Sequence, residues 1–322
     1  MSIAFIFPGQ GSQSIGMGRS LAQSFPRARA ILDQADAAVG GGLLRLLAEG
    51  PEEELRQTAN TQPAILAVSI AAQTAFSEAL EEKLGPRARE PGFVAAYAGH
   101  SLGEYSALVA AGSLALGDAV RAVRARGTFM QEAVPAGEGA MAAILQLAPE
   151  EVALACAEAA QAESRIVSPA NYNSPEQTVI AGHAPAVERA MAICKAKGAR
   201  RAVPLPVSAP FHCALMEPVQ PRLRAVLTQF QIAEPRSAVY ANTTAAPNRD
   251  PEQILPLLID QVTAPVRWLE TIEAMARAGV DTFIELGPGK VLSGLVRRID
   301  KSLRTASVED AQSLREALEL FA

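Results

Sequence analysis

One stretch, FVAAYAGHSLGEYSALVAA at residues 93 to 111, constrains the fold more than any other. It opens with an apolar run of strand length, turns sharply between Gly99 and Gly103 with Ser101 at the centre, and continues without glycine as a helix. A G-x-S-x-G turn that hands a strand to a helix belongs in an α/β sheet with helices on both faces. Two further runs, IAFIF (3 to 7) and TFIEL (282 to 286), have strand length and lead into glycine-containing turns. Between the first strand and the serine strand, QPAILAVSIAAQTAFSEAL has no charge before Glu78, which predicts a helix buried on most sides.

The middle of the chain changes rhythm. AMAAILQL, IVSPANYN, QTVIAGH and RRAVPLPV read as strands, and PEEVALACAEAAQ and APAVERAMAICKAKG as helices, the second ending at Gly198. The β-α-β-β-α-β order is that of a ferredoxin-like unit. It predicts a small subdomain at 134–207 inserted between two parts of a large α/β subdomain, 1–133 and 208–322.

Composition removes several classes of function. A net charge of -5 argues against a nucleic-acid binder, and no run of apolar residues approaches the ~20 that cross a bilayer. The N-terminal MSIAFIFPGQ lacks a basic leader and reads as a first strand, not a signal peptide. Cys156, Cys194 and Cys213 form no C-x-x-C pair and are odd in number, so a reducing cytoplasm fits better than a disulfide framework or a zinc site.

A serine becomes a nucleophile only when its geometry exposes it, a base takes its proton, and donors await the oxyanion. The elbow supplies exposure, and the Leu102 N–H at the helix start faces the oxyanion position. Three histidines are available as base. His100 adjoins the serine on the turn and reads as a packing or site-lining residue. His183 falls at a strand-to-helix junction of the small subdomain, at the surface. His212, in PLPVSAPFHCALM, is the base by elimination. No carboxylate between Ser101 and His212 stands in a turn that marks it as the acid of an ordinary triad, so a backbone carbonyl is an alternative acceptor. GQGSQSIGMG fails as a dinucleotide loop because Ser14 stands where the third glycine is needed, and GPGK lacks the remainder of a P-loop, leaving Lys290 as a surface or helix-start residue.

FPGQGSQ (7 to 13), GHSLGEYSAL (99 to 108), RGTFMQEAVP (126 to 135), NYNSPEQTVIAGH (171 to 183), PLPVSAPFHCALM (204 to 216) and ELGPGKVLSGLV (285 to 296) together resemble malonyl-CoA:acyl carrier protein transacylases, in the family's order and over essentially the whole chain. The resemblance implies an α/β-hydrolase-like large subdomain with a ferredoxin-like insert. It also implies transfer of malonyl from malonyl-CoA to the phosphopantetheine thiol of acyl carrier protein by a ping-pong route through Ser101, serving fatty acid synthesis. On that resemblance His212 is the base, the main-chain carbonyl at Gln261 orients it, the Gln10 N–H joins that of Leu102 in the oxyanion hole, and Arg126 grips the malonyl carboxylate. The last role suits a guanidinium, which can bind a carboxylate through two parallel hydrogen bonds. Its neighbours Arg121 and Arg124 read as helix-surface residues.

Phe211 suits a tight pocket, and in related polyketide acyltransferases an aromatic residue there accompanies malonyl. The acidic carrier protein requires a local basic patch, and Lys197 and Arg201 in CKAKGARR are the candidates. The sequence gives no metal site and no permanently bound cofactor beyond the coenzyme A thioester as substrate, and a cytoplasmic monomer is expected. Three rival readings remain: a trans-acting acyltransferase loading a polyketide carrier protein, a serine esterase or thioesterase, and a non-catalytic interaction protein.

Overall fold

The apolar runs that flank the first and second glycine turns lie side by side. In the computed structural model, which describes residues 1–135, 137–207 and 209–321, strands β1 (Ile3–Phe7) and β2 (Val94–Gly99) pair in parallel at the centre of a sheet. The remaining strands are β3 (Gly139–Leu145), β4 (Val167–Ser174), β5 (Gln177–His183), β6 (Arg201–Pro204), β7 (Ala238–Tyr240), β8 (Pro247–Asn248), β9 (Thr282–Leu286) and β10 (Arg304–Val308). The first sheet has the order β10-β9-β1-β2-β7-β8 and is parallel except for the β7–β8 pair. The second, β4-β5-β3-β6, is antiparallel and carries the helices Pro149–Glu163 and Ala184–Ala196, the order and connections of a ferredoxin-like unit.

The uncharged stretch predicted as a buried helix lies in the helix Thr58–Leu84, which packs beneath the large sheet. Phe5 meets Phe76 from this helix and Tyr97 from β2 edge to face, both at 5.9 Å, and burial of each such side chain contributes roughly 1.5–3 kcal/mol. The helix is long and apolar enough to cross a bilayer, yet 78% of its most apolar window is buried inside the fold, as expected of a core helix. At the end of β9, Glu285 is fully buried. Its two carboxylate oxygens accept the backbone N–H groups of Leu292 at 3.0 Å and Ser293 at 2.7 Å, so one strand caps the helix Val291–Ile299 that follows it. The ELGPGKVLSGLV block is explained locally by this cap, with Lys290 immediately before the helix and 3.7 Å from Glu309.

Two backbone bonds stitch the layers together. Tyr172 N–H donates to Val266 O and Val266 N–H to Ala170 O, both at 2.9 Å, so the segment after Gln261 runs as a short extra partner of β4. The cleft between the layers opens above the C-terminal ends of β1 and β2, where ligands bind in sheets of this kind.

Candidate active site

The turn after β2 is held from inside. His100 N–H donates to Phe7 O at 3.0 Å, which keeps the turn on the end of β1. A methyl group at Gly99 would overlap the backbone of Gly103, and one at Gly103 would overlap the Phe7 carbonyl, so both positions need hydrogen in place of a side chain. Ser101 then adopts φ 53°, a left-handed conformation that a serine holds only when its surroundings enforce it. The enforcing group is Asn242, just beyond β7: its Oδ1 accepts Ser101 N–H and its Nδ2 donates to Gly99 O, each at 2.7 Å. Gly103→Ala should therefore lower the unfolding free energy by about 3 kcal/mol, the upper part of the range for overpacking, read as a drop in urea midpoint. An unchanged midpoint would show that β1 and the elbow can separate.

Above the turn, His212 Nε2 lies 2.7 Å from Ser101 Oγ and His212 Nδ1 lies 2.8 Å from the Gln261 main-chain oxygen. A carbonyl only accepts, so Nδ1 carries the proton and the lone pair of Nε2 faces the serine hydroxyl. His212 is itself at φ 59° and buried. Burial, followed by the positive charge of Arg126, pushes its pKa down to about 3, which keeps the ring neutral and ready to accept a proton.

The Arg126 guanidinium reaches the same hydroxyl. Its Nη2 donates to Ser101 Oγ at 3.1 Å and to Gln261 Oε1 at 2.9 Å, and its Nη1 donates to Gln62 Oε1 at 2.8 Å. The group is 1% exposed, rests 5.7 Å from the Tyr105 ring centroid, and has no carboxylate within ion-pair distance among the described residues. Its Nε is buried without a hydrogen-bond partner. A buried cation held only by neutral oxygens and a ring is an incomplete anion site.

Ser101, His212 and Arg126 line one cavity of about 440 Å³. Gln10, Leu102, His100 and Phe211 line it as well, and Gln261 sits behind His212. Among the described residues neither the Gln10 nor the Leu102 N–H donates to a protein acceptor. His100 bonds Asn173 of β4 at 2.8 Å and lies 5.8 Å from the Trp268 ring, bridging the two layers. His183 is at the start of a small-sheet helix, where its Nδ1 accepts Ile166 N–H.

Lys197 and Arg201 lie apart from the cavity. Lys197 ends a helix and pairs with Glu151 at 3.1 Å, while exposed Arg201 opens β6, whose continuation at Leu205–Val207 lines the cavity wall. Arg121 is exposed and pairs with Asp118, but Arg124 departs from the surface position expected of it. It is half-buried and donates to Asn60 Oδ1 and Ala59 O, because the helix Leu116–Glu132 packs along the helix Thr58–Leu84.

Sequence reasoning did not find Gln62, Glu104 or Asn242, nor the Gln261 side chain, whose Nε2 donates to Ser101 O at 3.0 Å and Glu104 Oε2 at 2.8 Å. Gln62 and Glu104 carried little signal, since Gln62 is one of several polar residues in the first turns of its helix and Glu104 stands in a first turn, where an acidic residue is ordinary. Asn242 carried none. No group of three or more side chains suited to a metal ion occurs among the described residues.

The description of an acyl transferase domain matches residues 4–316. The chain belongs to the acyl transferase family. This acyltransferase is 47% identical over 317 residues to a malonyl CoA-acyl carrier protein transacylase of Escherichia coli (strain K12), covering 98% of this chain and 99% of that one. It superposes with a TM-score of 0.91 on the crystal structure of an acyl carrier protein S-malonyltransferase from Vibrio cholerae, at 45% identity and covering 98% and 100% of the two chains. A malonyl-transacylase solved in complex with the holo acyl-carrier protein of a type II polyketide synthase superposes with a TM-score of 0.92, at 45% identity and covering 99% and 100%. The acyltransferase therefore has the fold inferred from its sequence: an α/β-hydrolase-like large subdomain with a ferredoxin-like insert.

Proposed function

We propose that the protein transfers the malonyl group of malonyl-CoA to the phosphopantetheine thiol of acyl carrier protein through a malonyl ester on Ser101, and so supplies malonyl-acyl carrier protein for fatty acid synthesis. The observation that carries this reading is Arg126: a buried guanidinium with no carboxylate within ion-pair distance among the described residues, 3.1 Å from a serine oxygen that is also 2.7 Å from an imidazole. A site for a simple acyl group would not need a buried cation beside the nucleophile. A diacid half-ester needs one, because its free carboxylate must leave water.

The acylation step follows from these contacts. Ser101 Oγ attacks the thioester carbonyl while its proton passes to His212 Nε2; the Gln261 carbonyl holds the resulting imidazolium through Nδ1–H. The oxyanion is received by the N–H groups of Leu102 and Gln10. Collapse of the intermediate breaks the C–S bond, and His212 returns the proton to the departing coenzyme A sulfur. The carrier-protein thiol then repeats the sequence in reverse, losing its proton to His212 as it attacks the serine ester. Ser101 Oγ leaves with that proton.

Phe211, buried on the cavity wall beside His212, limits the space next to the acyl group and favours malonyl over bulkier diacids. The division at 134–207 gives each layer one wall of the cleft. Arg201 and Lys197 are the proposed contacts for the acidic carrier protein, Arg201 the freer of the two because Lys197 already faces Glu151. The reaction needs no metal and no permanently bound cofactor. A monomer in the cytoplasm, where the buried thiols stay reduced, fits it.

Intact-mass measurement tests the reading. Mixing the protein with malonyl-CoA should add one malonyl group, which disappears when holo acyl carrier protein is supplied and reappears on the carrier. A malonyl adduct that hydrolyses without reaching the carrier would point to a thioesterase instead.

A further inference from the structure

Glu104 is a buried carboxyl beside the site to which acyl transfer gives no part. It lies in the first turn of the helix Gly103–Ala110 and is 3% exposed. Its Oε2 accepts the Asn242 N–H at 3.0 Å and the Gln261 side-chain amide at 2.8 Å. The other end of the same amide, Gln261 Oε1, accepts Arg126 Nη2 at 2.9 Å. One amide thus separates carboxylate from guanidinium, with its N–H end toward the acid and its oxygen toward the cation, the sense in which each bond polarises the next. Through Asn242 and Gln261 the carboxyl is also tied to Ser101 N–H and Ser101 O.

The other groups packed around it are neutral. Tyr105, next on its own helix, is pushed far up by burial. His100, at the end of β2, and His212, on the loop above, are pushed down by burial. The helix Thr58–Leu84 presents Gln62 to Arg126, and the segment after β7 presents Asn242. Arg126, from the helix Leu116–Glu132, is the charged group acting on Glu104, and Glu104 is the carboxyl acting on Arg126.

A malonyl carboxylate on Arg126 would be a second anion for the same guanidinium. With both carboxylates ionised, one negative charge would stay uncompensated beside a buried guanidinium and a buried Glu104. Building on the malonyl-transfer reading above, we propose that Glu104 is a positioning residue and an exchangeable counter-charge: ionised, it steadies Arg126 through Gln261 in the empty site, and it takes up one solvent proton when the malonyl carboxylate replaces it as the guanidinium's anion. No other bond changes in that exchange.

Burial raises the Glu104 carboxyl to about 7 against the opposing effects of the Asn242 N–H, the Gln261 amide and the Arg126 charge, so both forms are populated near neutrality. Below that value Glu104 is neutral and the cation is free for malonyl. Above it, the carboxylate opposes malonyl but leaves acetyl unaffected. His212 serves both donors alike and cancels in their ratio.

The experiment measures acylation of Ser101 by malonyl-CoA and by acetyl-CoA in wild type, Glu104→Gln and Glu104→Ala, from about pH 5.5 to about pH 8.5, roughly one and a half units either side of the Glu104 value. The malonyl-to-acetyl ratio of kcat/KM should fall about tenfold across this range in wild type, the change that one unit of coupling produces. It should be flat in Glu104→Gln, which keeps an oxygen for both N–H donors, and low at every pH in Glu104→Ala, which keeps none. A flat wild-type ratio, or a Glu104→Gln variant that falls as wild type does, overturns the proposal. Should Glu104→Gln not fold, the wild-type profile still decides, together with a pH-indicator trace at neutrality in which malonyl loading takes up protons and acetyl loading does not. Failure of the underlying reading looks different: no malonyl adduct on wild type, or an adduct that survives Ser101→Ala.

Discussion

Ser101→Ala is expected to abolish the malonyl adduct and to lower transfer to the carrier protein by about 10⁴-fold or more, in line with removal of the nucleophile from other serine acyl-transfer sites. The size of the effect follows from convergence on one atom. Ser101 Oγ donates to His212 Nε2 and accepts from Arg126 Nη2, so its loss removes the attacking atom and leaves base and clamp without their shared partner. The fold should survive: the Asn242 bond to the turn is made by the backbone N–H of residue 101, not by its hydroxyl. The check is intact mass and single-turnover transfer on protein whose melting temperature matches wild type. Substantial adduct on Ser101→Ala would place acylation on another residue and remove the basis for every role assigned around it.

Arg126→Ala should separate the donors. Loss of two charge-assisted hydrogen bonds to the malonyl carboxylate, each worth roughly 1.5–3 kcal/mol, lowers kcat/KM for malonyl-CoA by about 10²–10⁴-fold. Acetyl-CoA has no carboxylate to lose and should change little. Arg126→Lys keeps a charge without the planar fork and should fall between the two. The measurement is the pair of kcat/KM values for each variant. Equal losses for both donors would mean that Arg126 acts on Ser101, to which it also donates, and not on the substrate's carboxylate.

What could be read from the chain follows from what local pattern encodes. Of the large sheet, β1, β2 and β9 announced themselves as short apolar runs leading into glycine, and the insert as four strand-like runs interrupted by two helical patterns, whereas β7 and β10 were not read. The two-residue strand β8 has no period to detect. The serine was legible from its turn, and the histidine because only three were available. Roles for Gln10, Arg126 and the Gln261 carbonyl came from the family resemblance, since nothing in their own surroundings distinguishes them.

The polar cage around them is a product of packing at long range. Asn242 reaches Ser101 across 141 positions and Gln261 reaches Glu104 across 157, so no window of sequence contains both partners. Arg124 illustrates the same limit from the opposite side. Read along its own helix it belonged to the surface, and a neighbouring helix half-buried it.

The backbone stitch between Val266 and β4 bears on how small such an enzyme can be made. The carbonyl that orients His212 belongs to residue 261, five positions before the residue that pairs with Ala170 and Tyr172. Trimming away the inserted layer to leave a minimal catalytic scaffold would cut the tether of that segment and, with it, the alignment of the base. The insert thus supports the position of His212 over the other sheet, and on the proposed mechanism a shortened or circularly rearranged version of the protein has to keep β4 to keep a working imidazole.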